Sequence, residues 1–197
     1  MICDKRPRSL DSRMIQIISG TNRPGSNSLR VTRVLEGMFA ELGVPVGVID
    51  LAKLPADLFT PDAYATKPAA FEPYQTAIFE ARGIVSVVPE YNGSFPGILK
   101  YFIDMLKFPE SLRGVPAAFV GLGAGEWGGL RSVEQLEMVF QYRSAHLFGK
   151  RVFLKHVHKL IGDDGSIVDA AVCDRLAEMA RDFVRFTNSL AETSEAS

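Results

Sequence analysis

Met14-Ile15-Gln16-Ile17-Ile18-Ser19-Gly20-Thr21-Asn22-Arg23-Pro24-Gly25-Ser26-Asn27-Ser28 is the stretch on which the fold turns. Its first five residues are β-branched or apolar around one glutamine, as in a buried strand, and Gly20 ends the run. From Ser28 to Leu42 the apolar residues Leu29, Val31, Val34, Leu35, Met38, Phe39 and Leu42 recur at helical spacing. Strand, loop and helix therefore follow one another within thirty residues, and Gly43 supplies the stop.

The same rhythm repeats downstream. Val44 to Asp50 reads as a second strand, placed at a sheet edge by Pro45. A polar connection runs from Ala52 to Pro68, and Ala69 to Arg82 has helical character. Ile84 to Val88 is almost wholly apolar, as expected of a central parallel strand covered on both faces. Pro96 can open a helix running to Leu106, because the first helical turn needs no N–H there. Val115 to Gly121 is a further strand, Arg131 to Leu147 a helix, Arg151 to Val157 a strand and Asp169 to Leu190 a long helix.

Five βα units in strict alternation imply an α/β three-layer sandwich with a five-stranded parallel sheet. The expected order is 2-1-3-4-5, the flavodoxin-like arrangement. Residues 1–13 read as an N-terminal tail, 14–190 as one domain and 191–197 as a C-terminal tail. Met14, where the first strand begins, is the expected effective start of the functional chain.

Composition narrows the class. At 197 residues the chain is long enough for one core. With 47% apolar and 23% charged residues it is neither disordered nor fibrous. Its 22 basic and 23 acidic side chains give a net charge of −1, with no basic stripe to follow a nucleic-acid backbone. No apolar run reaches the roughly 18–20 residues that span a bilayer. Two cysteines far apart, Cys3 and Cys173, form no disulfide framework, so a cytoplasmic location is expected.

In open α/β sheets, ligands bind beyond the carboxyl ends of strands where the strand order reverses, which here means the loops after the first and third strands. The first loop, Ser19 to Ser28, joins hydroxyls, a guanidinium and flexible glycines to a helix N-terminus. Free N–H groups and the positive end of the helix dipole make it a cradle for a phosphate monoester. It has neither the Gly-Lys-Ser/Thr of a P-loop nor G-x-G-x-x-G. The bland alternative is a helix cap and turn. The second loop, Pro89-Glu90-Tyr91-Asn92-Gly93-Ser94-Phe95-Pro96-Gly97, can hold a flat hydrogen-bonding ring, with backbone N–H groups on its polar edge and Tyr91 alongside. Its bland alternative is an ordinary turn that sends Phe95 into the core.

These residues resemble the NADPH-dependent FMN reductases of flavodoxin-like fold, a family that includes quinone, chromate and azo-dye reductases. The resemblance spans Met14 to Val184. The family's Gly-Ser-x-Arg-x-x-Ser phosphate loop is matched by Gly20 to Ser26, with Thr21 in place of serine. Its Pro-Glu-Tyr-Asn loop stands unchanged at Pro89 to Asn92, followed by Pro96 to Lys100 and Ile103-Asp104. A third family loop, Ser/Thr-x-Gly-x-x-Gly-Gly, resembles Gly123 to Gly129, with Gly123 where the hydroxyl residue belongs. The family's tryptophan after Ile-Asp is Met105 here.

The resemblance implies FMN as cofactor and NADPH or NADH as co-substrate. It assigns the phosphate to Gly20, Thr21, Arg23, Ser26, Asn27 and Ser28. The flavin ring falls to Pro89, Glu90, Tyr91, Asn92, Gly93, Gly123, Ala124 and Gly125. A hydride would pass from NAD(P)H to flavin N5 and on to a small acceptor such as a quinone, with the cofactor doing the chemistry and no catalytic side chain required. A homodimer or homotetramer is implied, with FMN near the subunit interface.

The alternatives are an FMN-binding electron carrier or redox sensor without NAD(P)H turnover, and a relative that has lost flavin for another phosphate ligand. The charge of −1 argues mildly against a carrier, since such proteins are usually acidic. Gly123, Gly125 and Gly128 also spell G-x-G-x-x-G, but Lys150-Arg151 stands where a dinucleotide fold needs an acidic residue. Arg131 and Arg143 are candidates to meet a 2′-phosphate. His156 and His158, expected to alternate on one strand face, lack the further ligands of a metal site. His146 is expected at a helix C-terminus, Trp127 in packing or at an interface, and no serine has a triad partner.

Overall fold

The computed structural model describes residues 13–195. All but the last residue of the expected N-terminal tail, with any question of where the chain functionally starts, lies outside them. Five sheet positions follow the order 2-1-3-4-5, all parallel. They are β1 (Ile15–Ser19), β2 (Val46–Asp50), β3 (Gly83–Pro89), β4 (Pro116–Leu122), and a fifth position shared by β5 (His146–Leu147) and β6 (Val152–Leu154).

Among the described residues the six α-helices are α1 (Asn27–Glu41), α2 (Glu72–Phe79), α3 (Gly97–Met105), α4 (Leu130–Tyr142), α5 (Val157–Leu160) and α6 (Ala170–Glu195). Because side chains alternate along a strand, the apolar runs of β1 and β3 supply two cores at once. Ile18, Ile84 and Val88 pack with Leu99, Phe102, Val133 and Phe140 of α3 and α4. Ile15, Ile17, Val85 and Val87 pack with Leu35, Phe39, Leu176 and Phe183 of α1 and α6 on the opposite face. Every residue of β1, β3 and β4 is buried, which fits their central positions.

Several element boundaries are corrected. The helix expected through Leu147 stops at Tyr142, where Arg143 caps it and Ser144 turns to φ +59. The strand expected over 151–157 is a broken edge. β5 pairs with the start of β4 (Pro116↔His146) and β6 with its end (Val120↔Val152). His146 thus lies in a strand, not at a helix end. His156 and His158 come after β6, with His156 in the left-handed conformation at φ +49, and do not alternate on a strand. The connection after β2 is not merely polar: short 3-10 turns plant Leu51, Leu58, Ala63 and Phe71 in the core. The last helix continues past Leu190 to Glu195.

Candidate functional site

The loops after β1, β3 and β4 leave the carboxyl edge of three adjacent strands, where the order changes direction between β1 and β3. In the first loop the N–H of Gly20 donates to Val87 O at 2.9 Å. The approach is so close that a Cβ on Gly20 would lie 2.7 Å from that backbone oxygen, so the position requires glycine. Thr21 and Ser28 are buried at the base of the loop, while Asn22, Arg23, Pro24 and Gly25 are exposed.

Ser26 caps α1, its Oγ accepting from Leu29 N at 3.2 Å while its own O–H stays free to donate outward. Asn27 and Ser28 carry first-turn N–H groups, which have no acceptor inside a helix. The Arg23 guanidinium makes no ion pair with any described residue.

The second loop is a two-residue reversal. Tyr91 N donates to Ser94 O at 2.8 Å and Ser94 N to Tyr91 O at 3.0 Å, with Asn92 at φ +52 and Gly93 at φ +74. Helix α4 braces it: Gln135 Nε2 donates to Gly93 O at 3.0 Å and Gln135 Oε1 accepts from Ser94 Oγ at 2.6 Å. Pro89 ends β3 in the interior, and Phe95 packs against the α3–α4 core. The first two loops are joined by a 2.9 Å hydrogen bond between Thr21 Oγ1 and the Tyr91 hydroxyl.

Glu90 ties the second loop to the third. Its N–H donates to Leu122 O at 3.0 Å, and its Oε1 accepts from Arg131 Nη1 at 3.2 Å. In the third loop, Gly123 O accepts from Val157 N at 3.1 Å, Ala124 O lies 3.0 Å from His156 Nδ1, and Gly125 O accepts from His156 N at 3.4 Å. In a trans peptide the N–H of the next residue points opposite to each carbonyl. The N–H groups of Ala124, Gly125 and Glu126 therefore face away from the 156–157 segment, and none meets a backbone acceptor among the described residues. That segment follows β6, and β4 separates β6 from β3, whose end carries the second loop. A Cβ at Gly123 would meet Gly129 N at 3.2 Å, so a serine there would need the turn to give slightly.

The fourteen residues singled out in the sequence thus lie on one edge, in three linked loops and in the ends of β3 and α1 that flank them. Gln135 and His156 were missed as site elements, while Arg131, expected as a candidate for a 2′-phosphate, takes a different role here. Gln135 braces the second loop from α4, Arg131 pairs with Glu90 at the rim, and His156 holds the third loop. Gln135 and His156 act across 42 and 30 residues, and no local motif announces such contacts. Arg131, two positions past the last glycine of the third loop, was legible as the first turn of α4. Arg143 is corrected: it is buried, and its guanidinium donates inward to Ile103 O and Lys107 O, so it is not presented to a 2′-phosphate. Trp127, expected in packing or at an interface, is exposed, with the Arg131 guanidinium 5.9 Å above its ring. Among the described residues no cluster of three metal-ligating side chains exists, and no helix is long and apolar enough to cross a membrane.

The strand order and the three linked loops define a flavodoxin-like α/β protein with a cleft at its switch point. Residues 14–159 match the sequence model of the NADPH-dependent FMN reductases, and the chain belongs to that family. It is 29% identical over 156 residues to an NAD(P)H-dependent FMN reductase of Pseudomonas aeruginosa, covering 77% of this chain and 83% of the relative. It is also 29% identical over 184 residues to a quinone reductase of Escherichia coli K12, covering 89% and 96%. Among solved structures, FerB, a flavoenzyme NAD(P)H:(acceptor) oxidoreductase from Paracoccus denitrificans, superposes with a TM-score of 0.77 at 21% identity, covering 90% and 98%. Oxidised flavodoxin 1 from Bacillus cereus superposes at 0.57 and 15% identity, covering 88% and 98%, and shares the fold.

Proposed function

We propose that this protein is an FMN-dependent NAD(P)H oxidoreductase that reduces a quinone-like or similar small acceptor. The observation that carries the reading is the convergence of two differently built donor sets at the switch point. The first is the α1 N-terminus with Arg23, which suits a dianionic phosphate. The second is the row of N–H groups at Ala124, Gly125 and Glu126 opposite the Tyr91 turn, which suits the acceptor edge of a flat ring. Gly20 allows the phosphate loop to lie against β3 without a side chain in the way. Those residues fit FMN.

When bound, FMN would accept hydride from NAD(P)H at N5 and pass reducing equivalents to the acceptor. The chain's part is to bind and orient. Arg23, Thr21, Ser26, Asn27 and Ser28 would hold the phosphate. Pro89 to Gly93 would form one wall of the ring site, kept in shape by Gln135 and the Thr21–Tyr91 bond, and Gly123 to Gly125 would form the other. Relatives named as quinone reductases support the acceptor class. Use of a cytoplasmic NAD(P)H pool belongs to the same reading.

A second copy of the chain is the expected partner. Between α3 and α4 lies a groove of about 480 Å³ lined by Ile103, Leu106, Phe108, Met138, Val139 and Tyr142. Phe108, Met138 and Tyr142 are largely exposed there, an apolar surface suited to self-association as a homodimer or a homotetramer of dimers.

The test is the visible spectrum of the purified protein before and after anaerobic NADPH addition, followed by steady-state NAD(P)H oxidation with a quinone. A two-band flavin spectrum that bleaches, with quinone-dependent turnover, is the expected result. Bound flavin that does not bleach would point to a carrier or sensor, and refusal of FMN would overturn the cofactor.

A further inference from the structure

His156 sits at φ +49 and ψ +43, a left-handed conformation that costs a residue with a β-carbon energy and is uncommon outside glycine, although histidine adopts it several-fold more often than most. Held there, it reaches three consecutive residues of the glycine loop. Its Nδ1 lies 3.0 Å from Ala124 O, its N–H donates to Gly125 O at 3.4 Å, and its Nε2 lies 2.7 Å from Glu126 Oε1. The next residue, Val157, takes Gly123 O at 3.1 Å.

The chemistry of the two ring contacts is decisive. A carbonyl oxygen only accepts, so Nδ1 must carry a proton. The Glu126 carboxyl is exposed, and the hydrogen bond from His156 and the nearby Lys155 hold its pKa below the ordinary value, so it is an ionised acceptor too. Both ring nitrogens must therefore donate, which only the imidazolium does. The other charged or titratable groups placed against this pair are Lys155, whose Nζ is 3.5 Å from Glu126 Oε2, and His158, whose ring stands edge-on at 6.3 Å between centroids.

We infer that protonated His156 is a positioning residue for the cofactor: it clasps the glycine loop from behind and so aims the N–H groups of Ala124, Gly125 and Glu126 at the ligand, making FMN binding dependent on the charge of this one imidazole. The inference rests on the FMN reading above. When the ring loses its proton it keeps Nδ1–H on Ala124 O and gives up Glu126, because a bare Nε2 faces a carboxylate. The clasp then loosens on the alkaline side. On the acid side it persists until Glu126 itself is protonated, below the ordinary carboxylate range.

The experiment measures the FMN dissociation constant from pH 5.5 to 9 for the wild type, Glu126→Gln and His156→Asn, together with amide exchange of Val157 in the FMN-free proteins. Asparagine tolerates the left-handed backbone and so keeps the chain path. The wild type should bind FMN about 5- to 20-fold more weakly at pH 9 than at pH 6, the loss of one charge-assisted contact in a loop. His156→Asn should bind at the weak level throughout, and Glu126→Gln, whose amide serves either ring state, should lose most of the pH dependence. Val157 protection at pH 6 should fall by about 5-fold in His156→Asn, a local opening. A flat wild-type profile with unchanged Val157 protection in His156→Asn would overturn the clasp. If the wild type binds no FMN at any pH, the functional reading fails, and the exchange result alone decides the clasp.

Discussion

Thr21 Oγ1 and the Tyr91 hydroxyl meet at 2.9 Å across 70 residues of sequence, bridging the loop after β1 to the loop after β3. Those strands are neighbours only because the chain reverses its direction of winding between them, so the bond spans the switch point itself. Thr21 is buried and Tyr91 half-buried, and the pair ties together the two loops proposed to hold the phosphate and the ring. Tyr91→Phe and Thr21→Val should each weaken FMN binding by roughly 2- to 12-fold, the worth of about 0.5–1.5 kcal/mol for one neutral hydrogen bond. A double-mutant cycle by flavin fluorescence titration should show that the two effects are not additive, since each variant removes the same bond.

Arg23 is exposed and pairs with no described side chain, so the fold does not depend on it. Arg23→Ala should leave the melting temperature of the FMN-free protein almost unchanged. FMN affinity should fall by roughly 10- to 150-fold, corresponding to about 1.5–3 kcal/mol for a charge-assisted contact. Equal affinity would remove this residue from the phosphate site. Equal stability separates a binding loss from a folding loss.

The fold was legible in the sequence wherever a strand is covered on both faces, because burial leaves a near-continuous apolar run. Ile84 to Val88 and Val115 to Gly121 could be placed without any tertiary information. The edge was not. β5 and β6 together form one sheet position, but each makes only two or three ladder pairs with β4, so neither has a run long enough to read. The end of α4 was missed for a related reason: Ser144 takes φ +59 without the glycine that usually marks such a turn, and its carbonyl accepts from Gly114 N at 2.7 Å in the loop before β4. In the site, the loops themselves were legible from composition and position. What braces them was not, since Gln135 and His156 act through long-range contacts that depend on how helix α4 and the chain after β6 pack.

Gly129 tests the geometry of the third loop without touching the ligand. It sits at φ +89, and a Cβ there would lie 2.5 Å from Leu122 N, backbone that is paired in the sheet and cannot move aside. Gly129→Ala should destabilise the protein by about 1–3 kcal/mol, strain and overpacking acting together. Gly125→Ala, where an added Cβ meets nothing within 4 Å, should change stability far less. Thermal unfolding of the two FMN-free variants checks the contrast; similar losses would mean that the turn is softer than its close contacts imply.

Tyr142 decides whether the groove beside α4 is covered. It is 77% exposed, its ring stacks on Phe108 at 6.2 Å, and Met138 stands exposed one turn earlier on the same helix. An apolar surface of this kind on a free monomer favours association, and a two-fold pairing would set the same groove against itself. The groove also lies next to the site: Gln135, which holds the Gly93 turn, lines it. A partner seated there would press on the helix that braces the ring wall, so assembly and FMN affinity should move together. Tyr142→Glu places a charge in the centre of that surface. It should shift sedimentation-equilibrium mass from a multiple of 21.6 kDa toward the single chain, and weaken FMN binding while the monomer remains folded. A variant that becomes monomeric yet binds FMN as the wild type does would show that the groove serves assembly without supporting the site. A wild type that is itself monomeric would leave Phe108, Met138 and Tyr142 as bare surface, and would place the whole cofactor site within one chain.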